Sequence, residues 1–338
     1  MSTGSVVFST DQGLGILAKQ FYDAGVVTDV VVLRHGRRPE HDEWYPNAHR
    51  LGMVSQLIQS DTLDWISSMD AMLFFETPFE WRLFELCKKM GVKTVLMPMH
   101  ECEPDPLPAR PDLMLCPSLL DFNCYDLLQG GGCSSVFLPI PVNVPWRLRT
   151  RATTFVHNAG NGGLQGRNGT KELIEAMRLT KSDARLILTS QVGVDLGTHN
   201  QKIEFRGGTR KYDEVWKDGG VGDVFVFPER FNGVSLPLQE ARAAGMLVMG
   251  ANRFPMNTWL PTEPLIPVAG YRKSRVARRC REFDDAIIEP QAIADCIDSW
   301  YNVDITEYSI QGKEWAQQNS WDVLKPKYTD LLEQLCNS

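Results

Sequence analysis

A chain of 338 residues is long for one domain and sufficient for two of ordinary size. Its hydrophobic share of 43% and charged share of 23% are those of a soluble globular protein, which excludes a disordered or fibrous chain. The formal net charge of -7, with a pI of about 5.5, excludes polyanion binding over the whole surface and leaves room only for a local basic patch.

The opening "MSTGSVVFSTDQG" lacks the basic start and long apolar run of a signal peptide. No uncharged apolar stretch reaches the roughly 20 residues needed to span a bilayer, so membrane insertion is not expected and a cytoplasmic location is. The eight cysteines (Cys87, Cys102, Cys116, Cys124, Cys133, Cys280, Cys296, Cys336) form no pair at zinc-ligand spacing and read as reduced thiols.

Strand-like and helix-like runs alternate from the start. "SVVFST" leads through a glycine turn into the helical "GILAKQFYDAG". Then come "DVVVLRHG", "AMLFFET", the amphipathic "EWRLFELCKKMG" and "KTVLMPMHE". Short β-branched or apolar runs between helices predict parallel βαβ units covered on both sheet faces. The proline-dense "PMHECEPDPLPARPDLMLCP" is predicted to be mostly loop. "SSVFLPIPVNVPW" reads as a last strand running into a hinge near residues 143–151. The pattern then restarts with "TTFVHNAG", "GTKELIEAMRL", "ARLILTSQ", "KIEFRGG", "GDVFVFPE" and "GMLVMG". The tail "WDVLKPKYTDLLEQL" reads as a closing helix. The expectation is an α/β chain of two Rossmann-like, doubly wound domains. Residues 1–143 form the first and 144–318 the second, and 319–338 return to the first. An interdomain cleft is expected between them, because ligands bind beyond the carboxyl ends of such strands.

The stretch "FNGVSLPLQEARAAG" joins a strand to a helix. Pro237 suits the first helical turn, where its missing N–H costs nothing. Ser235 is a candidate N-cap, and Gly233 can turn successive amides outward. With the helix dipole these features make a phosphate cradle. Glu240, one turn on, is within reach of a vicinal diol such as a ribose. A nucleoside diphosphate satisfies both halves; a plain capped helix with a solvent-facing Glu is the competing reading.

"DVFVFPERFNGVSLPLQEARAAGMLVMG" resembles the signature of retaining glycosyltransferases of the GT-B fold, specifically glycosyltransferase family 4. Gly233, Leu236, Pro237, Glu240, Ala241 and Gly245 match it. "FLPIPVN", "TTFVHNAGNGGLQGRNGTKELIEAM" and "GVKTVLMPMHE" resemble further family segments in the same order. The resemblance implies a nucleotide-sugar donor held by Gly13, Gly15, Gly233, Val234, Ser235, Leu236 and Glu240. It implies catalytic roles for His100, Asn232 and Arg167. No cofactor and no metal are expected, since the chain has no Asp-x-Asp triplet. Two positions depart from the family pattern. Asn232 stands where the signature has its first acid, and Asn168 where the donor loop usually has Lys, with Arg167 beside it to replace that cation. Asp11 and Glu101 are acceptor-side candidates.

Two rival readings come from other segments. "GLGILA" fits the G-x-G-x-x-A dinucleotide fingerprint, with Arg34 and Arg37 placed for the 2′-phosphate of NADP, so an NAD(P)-dependent oxidoreductase is an alternative. "YRKSRVARRCR", from Tyr271 to Arg281, reads as a solvated helix face balanced by Glu282, Asp284 and Asp285. It is also a candidate nucleic-acid contact through Arg272–Arg281, with Arg278 and Arg279 as acceptor-binding candidates.

Overall fold

The computed structural model describes residues 1–36, 39–126, 133–197 and 201–338. The chain divides into two compact units. Met1–Pro141, Ala277–Arg281 and Trp321–Ser338 form the first, and Val142–Val276 with Glu282–Ser320 form the second.

In the first unit the strands are β1 (Thr3–Val7), β2 (Asp29–Leu33), β3 (His49–Leu51), β4 (Ala71–Glu76), β5 (Lys93–Pro98), β6 (Leu113–Cys116) and β7 (Ser134–Phe137). They pair in parallel in the order β3-β2-β1-β4-β5-β6-β7. Helices α1 (Gly13–Asp23), α2 (Ser60–Ser67), α3 (Arg82–Met90) and α4 (Leu119–Asp126) complete the βαβ crossovers. The central strands are buried along nearly their whole length, which is why they read as unbroken apolar runs. Strand β6 corrects one expectation. It lies inside the proline-dense segment, where "LMLC" is fully buried and pairs with β5 and β7.

The second unit repeats the plan with β8 (Thr154–Gly160), β9 (Arg185–Ser190), β10 (Ile203–Gly207), β11 (Val224–Phe227), β12 (Leu247–Ala251) and β13 (Leu265–Ile266). All pair in parallel, in the order β10-β9-β8-β11-β12-β13. Between them run α5 (Thr170–Leu179), the single turn α6 (Tyr212–Val215) and α7 (Leu236–Ala243). An antiparallel hairpin of β14 (Gly270–Ser274) and β15 (Phe283–Ile287) follows, then α8 (Pro290–Trp300) and α9 (Thr306–Gln318). The basic run is therefore a strand and turn, not a helix face. Its residues 277–281 group with the first unit, where Cys280 bridges to Pro104.

The closing helix α10 (Trp321–Cys336) also belongs to the first unit. Trp321 and Tyr328 meet the buried ring of Phe21 edge-on, each with centroids 5.0 Å apart. Each sheet grows outward in both directions from one strand pair, β1 and β4 in the first unit, β8 and β11 in the second. These reversals are the switch points at which doubly wound sheets bind ligands.

Candidate functional site

In the second unit, the switch point brings together the loops that follow β8 and β11. The β11 loop runs from Pro228 to Ser235 and opens α7. Its left-handed residue is Ser235 (φ 48°, ψ 61°), two positions past Gly233. A side chain in that conformation costs about 1–3 kcal/mol and persists where surroundings enforce it, often at functional sites. Ser235 occupies the N-cap position of α7 but makes no capping hydrogen bond. Its hydroxyl is buried without a partner among the described residues. The expected capping role is thus not the one the serine plays. The Val234 amide donates to Asn232 Oδ1 at 2.9 Å, so the loop itself uses one amide expected for the cradle. The amides of Ser235 and Leu236 stand at the positive end of the helix dipole.

Asn232 has a structural role that its sequence position does not reveal. Its Nδ2 donates to Glu229 Oε1 at 2.9 Å, while Arg253 Nη1 donates to its carbonyl at 3.0 Å. Glu229 and Arg253 are each only 2% exposed, and Arg253 Nε donates to the Glu229 carbonyl at 2.8 Å. Arg167 approaches the same carboxylate, with Nε 3.9 Å from Glu229 Oε1. Neither Glu229 nor Arg253 is among the residues by which the motif marks the loop in sequence. Their one local signal is position, just past the carboxyl ends of β11 and β12.

The β8 loop is bound to this arrangement. The Arg230 amide donates to the Arg167 carbonyl at 2.7 Å. Gly169, at φ +68°, leads into α5; a Cβ there would lie 2.2 Å from the Pro228 carbonyl oxygen. Only glycine lets the two loops approach this closely. Asn168 is 8% exposed and donates from Nδ2 to the Ala159 carbonyl at 2.9 Å, so it ties the loop to β8 and leaves Arg167 as the neighbouring cation.

Glu240 is half-buried on α7. Burial raises its carboxyl to about 7, and hydrogen bonds from Tyr212 and Trp216 oppose that rise. The Tyr212 hydroxyl donates to Oε1 at 2.8 Å. A solvent-facing helical Glu would be unshifted; this one is poised between its charged and neutral forms at physiological pH.

The first unit places the remaining candidates as follows. Gly13 opens α1, with nothing within 4 Å of where its Cβ would be, whereas a Cβ on Gly15 would lie 2.2 Å from the Thr10 carbonyl oxygen. Gly15 thus serves the packing of its own loop. Asp11 Oδ2 is 2.6 Å from His41 Nε2, while His41 Nδ1 meets Glu43 at 2.9 Å and the ring stacks on Trp44. His100 is 8% exposed in a single helical turn after β5, and its amide donates to Asp121 Oδ1 at 2.9 Å. Burial, with Arg281 adding to it, lowers the imidazole to about 4, so His100 is neutral at pH 7. Glu101 is 3% exposed, in the same short turn as His100. Nearby Glu103 is fully buried and held well above the usual carboxylate range by burial and neighbouring acids.

Arg34 is engaged by Glu40, with Nη1 to Oε2 at 3.1 Å, and Arg37 lies outside the described residues. In the basic run, Arg272 pairs with Asp285 and Lys273 with Asp284, both at 2.8 Å, and Arg275 with Glu282 at 3.5 Å. Arg281 lies 3.7 Å from Asp105, while Arg278 and Arg279 are exposed. Acids thus offset much of the positive charge that suggested a nucleic-acid contact.

No protein-family model matches the chain, and no curated protein matches it by sequence. In structure it is similar to sucrose-phosphate synthase from Thermosynechococcus elongatus, at 14% identity and a TM-score of 0.67 over 99% of each chain. A glycosyltransferase from Rickettsia africae is similar at 12% identity and a TM-score of 0.66, over 99% of this chain and 98% of that one. Anabaena HepE, solved with UDP and glucose, is similar at 10% identity and a TM-score of 0.64, over 99% and 100%. The fold is GT-B. In this GT-B chain, Arg167, Ser235 and the Glu229–Arg253 pair lie in the loops at one switch point of the second unit, and Glu240 follows on α7. No described helix is long and apolar enough to cross a membrane.

Proposed function

We propose that the protein is a glycosyltransferase of the family 4 type, taking a sugar from a nucleotide-sugar donor and passing it to an acceptor hydroxyl. The observation that carries this reading is Glu240, a half-buried carboxylate raised to about 7, one turn into a helix that starts from the left-handed Ser235. Its ionised form accepts hydrogen bonds from the two ribose hydroxyls. The diphosphate lies against the amides of Ser235 and Leu236, where the helix dipole and Arg167 counter its charge. The orphaned Ser235 hydroxyl is a group that a phosphate oxygen would satisfy.

The reaction breaks the bond between the anomeric carbon and the phosphate oxygen as the acceptor oxygen bonds to that carbon from the same face. The acceptor proton passes to the departing phosphate, and configuration is retained. The chain's part is to stabilise the negative charge that grows on the leaving diphosphate, using fixed dipoles and a guanidinium and without a metal.

Incubation with a panel of UDP-, GDP- and ADP-sugars, followed by chromatography of the released diphosphate, tests the proposal. HepE was solved with UDP and with UDP-glucose, which puts uridine donors first in the panel. The expected result is hydrolysis or transfer with one donor, unchanged by EDTA and lost in Glu240→Ala. Turnover of none, or equal turnover by Glu240→Ala, contradicts it.

A further inference from the structure

Glu240 does not stand alone on its helix. Its Oε1 accepts from Tyr212, which lies 28 residues earlier on α6, and this bond spans two separate segments of the second unit. Those segments are joined again at their far ends by one buried cation. Arg149, 2% exposed, donates to the carbonyl of Ala244, the C-cap of α7, and to those of Gly219 and Gly220, just beyond Trp216. It also donates to the carbonyls of Gly222 and Arg147, at 3.0 and 2.9 Å. One guanidinium therefore fixes the segment carrying Tyr212 against the helix carrying Glu240. The cation that α7 itself carries, Arg242, donates instead to the Trp259 carbonyl.

We propose that Tyr212 is a positioning residue of the nucleotide site, holding one oxygen of Glu240 so that the other is presented to the ligand, with Arg149 locking the two segments together. This rests on the reading of Glu240 as the nucleotide's pentose contact. A phenol donating to one carboxylate oxygen, with Trp216 donating to the same carboxyl, fixes the carboxylate plane and favours the charged form, while the remaining lone pairs accept from the ligand. Without the Tyr212 bond the carboxylate keeps the Trp216 donor alone, is held less firmly and takes up a proton at higher pH.

Tyr212→Phe removes the hydroxyl alone and keeps the ring. The test is calorimetric titration of wild type and Tyr212→Phe with UDP-, GDP- and ADP-glucose from pH 5.5 to 8.5. The diphosphate of a sugar nucleotide is esterified at both ends and does not titrate in this window, so a midpoint reports the protein. Wild-type affinity is expected to rise as pH passes about 7, following Glu240. Tyr212→Phe should bind about tenfold more weakly at pH 7, with its midpoint moved upward and the gap narrowing toward pH 8.5. Uniform weakening at every pH with an unmoved midpoint would mean a merely structural tyrosine and overturns the inference, as does unchanged binding. If wild type binds none of the three at any pH, the functional reading itself falls, and this inference with it.

Discussion

Glu240 combines a cost to the fold with a proposed use in binding, and pH separates the two. Its folded carboxyl titrates near 7, against an ordinary value of 4.5. Because the folded value is raised, the stability linked to its proton is fully present below about pH 4.5 and is lost as pH rises through 7. Above pH 7 the fold carries a poorly solvated charge whose cost is about 3 kcal/mol. Glu240→Gln is isosteric, still accepts from Tyr212 and carries no charge. It should therefore melt higher than wild type at pH 8 and equal it at pH 4, while losing nucleotide binding. Thermal denaturation at the two pH values checks this; a lower melting temperature for the variant at pH 8 contradicts it. It is the loss of binding together with the gain in stability that marks a functional group.

At the scale of elements, the loops at the strand ends depend on close backbone approach. Gly15→Ala puts a methyl 2.2 Å from the Thr10 carbonyl oxygen, while Gly13→Ala meets nothing within 4 Å. Chemical denaturation should show Gly15→Ala destabilised by about 2 kcal/mol or more and Gly13→Ala within about 0.5 kcal/mol of wild type. Equal effects at the two positions would refute this division of labour between them. The βαβ alternation was legible in sequence because parallel strands buried on both faces read as continuous apolar runs. "VFVF" and "LVMGA" are fully buried. Strand β6 escaped because prolines crowd its approach, although they stop short of the four residues that pair. The hairpin β14–β15 escaped because its basic residues face cross-strand acids, and local charge clustering does not distinguish a strand from a helix.

At the scale of the whole molecule, the chain carries two sheets built to one plan, each with its own switch point. The sequence motif marked the second of these through Gly233, Ser235 and Glu240, since the helix start, the turn and the acid are neighbours in the chain. It did not mark Tyr212, Arg149, Glu229 or Arg253. Tyr212, Arg149 and Arg253 come from other segments, and Glu229, in the motif's own loop, is distinguished by nothing but its place just past β11. In the basic run, the offsetting acids Glu282, Asp284 and Asp285 were legible because they follow it directly in the chain, whereas Asp105, beside Arg281, was not. An acidic chain whose basic segment is largely paired suits a small anionic ligand bound locally better than a polyanion held over a broad surface.

The central claim is that a nucleoside diphosphate lies against the amino end of α7 while Glu240 holds its pentose. Crystals grown at pH 8 and soaked in turn with UDP-, GDP- and ADP-glucose test it most directly. The expected electron density places the diphosphate beside the Ser235 and Leu236 amides and brings the ribose hydroxyls within hydrogen-bonding distance of Glu240. A nucleotide bound elsewhere, or an α7 amino end closed by the protein's own side chains in all three soaks, contradicts the account.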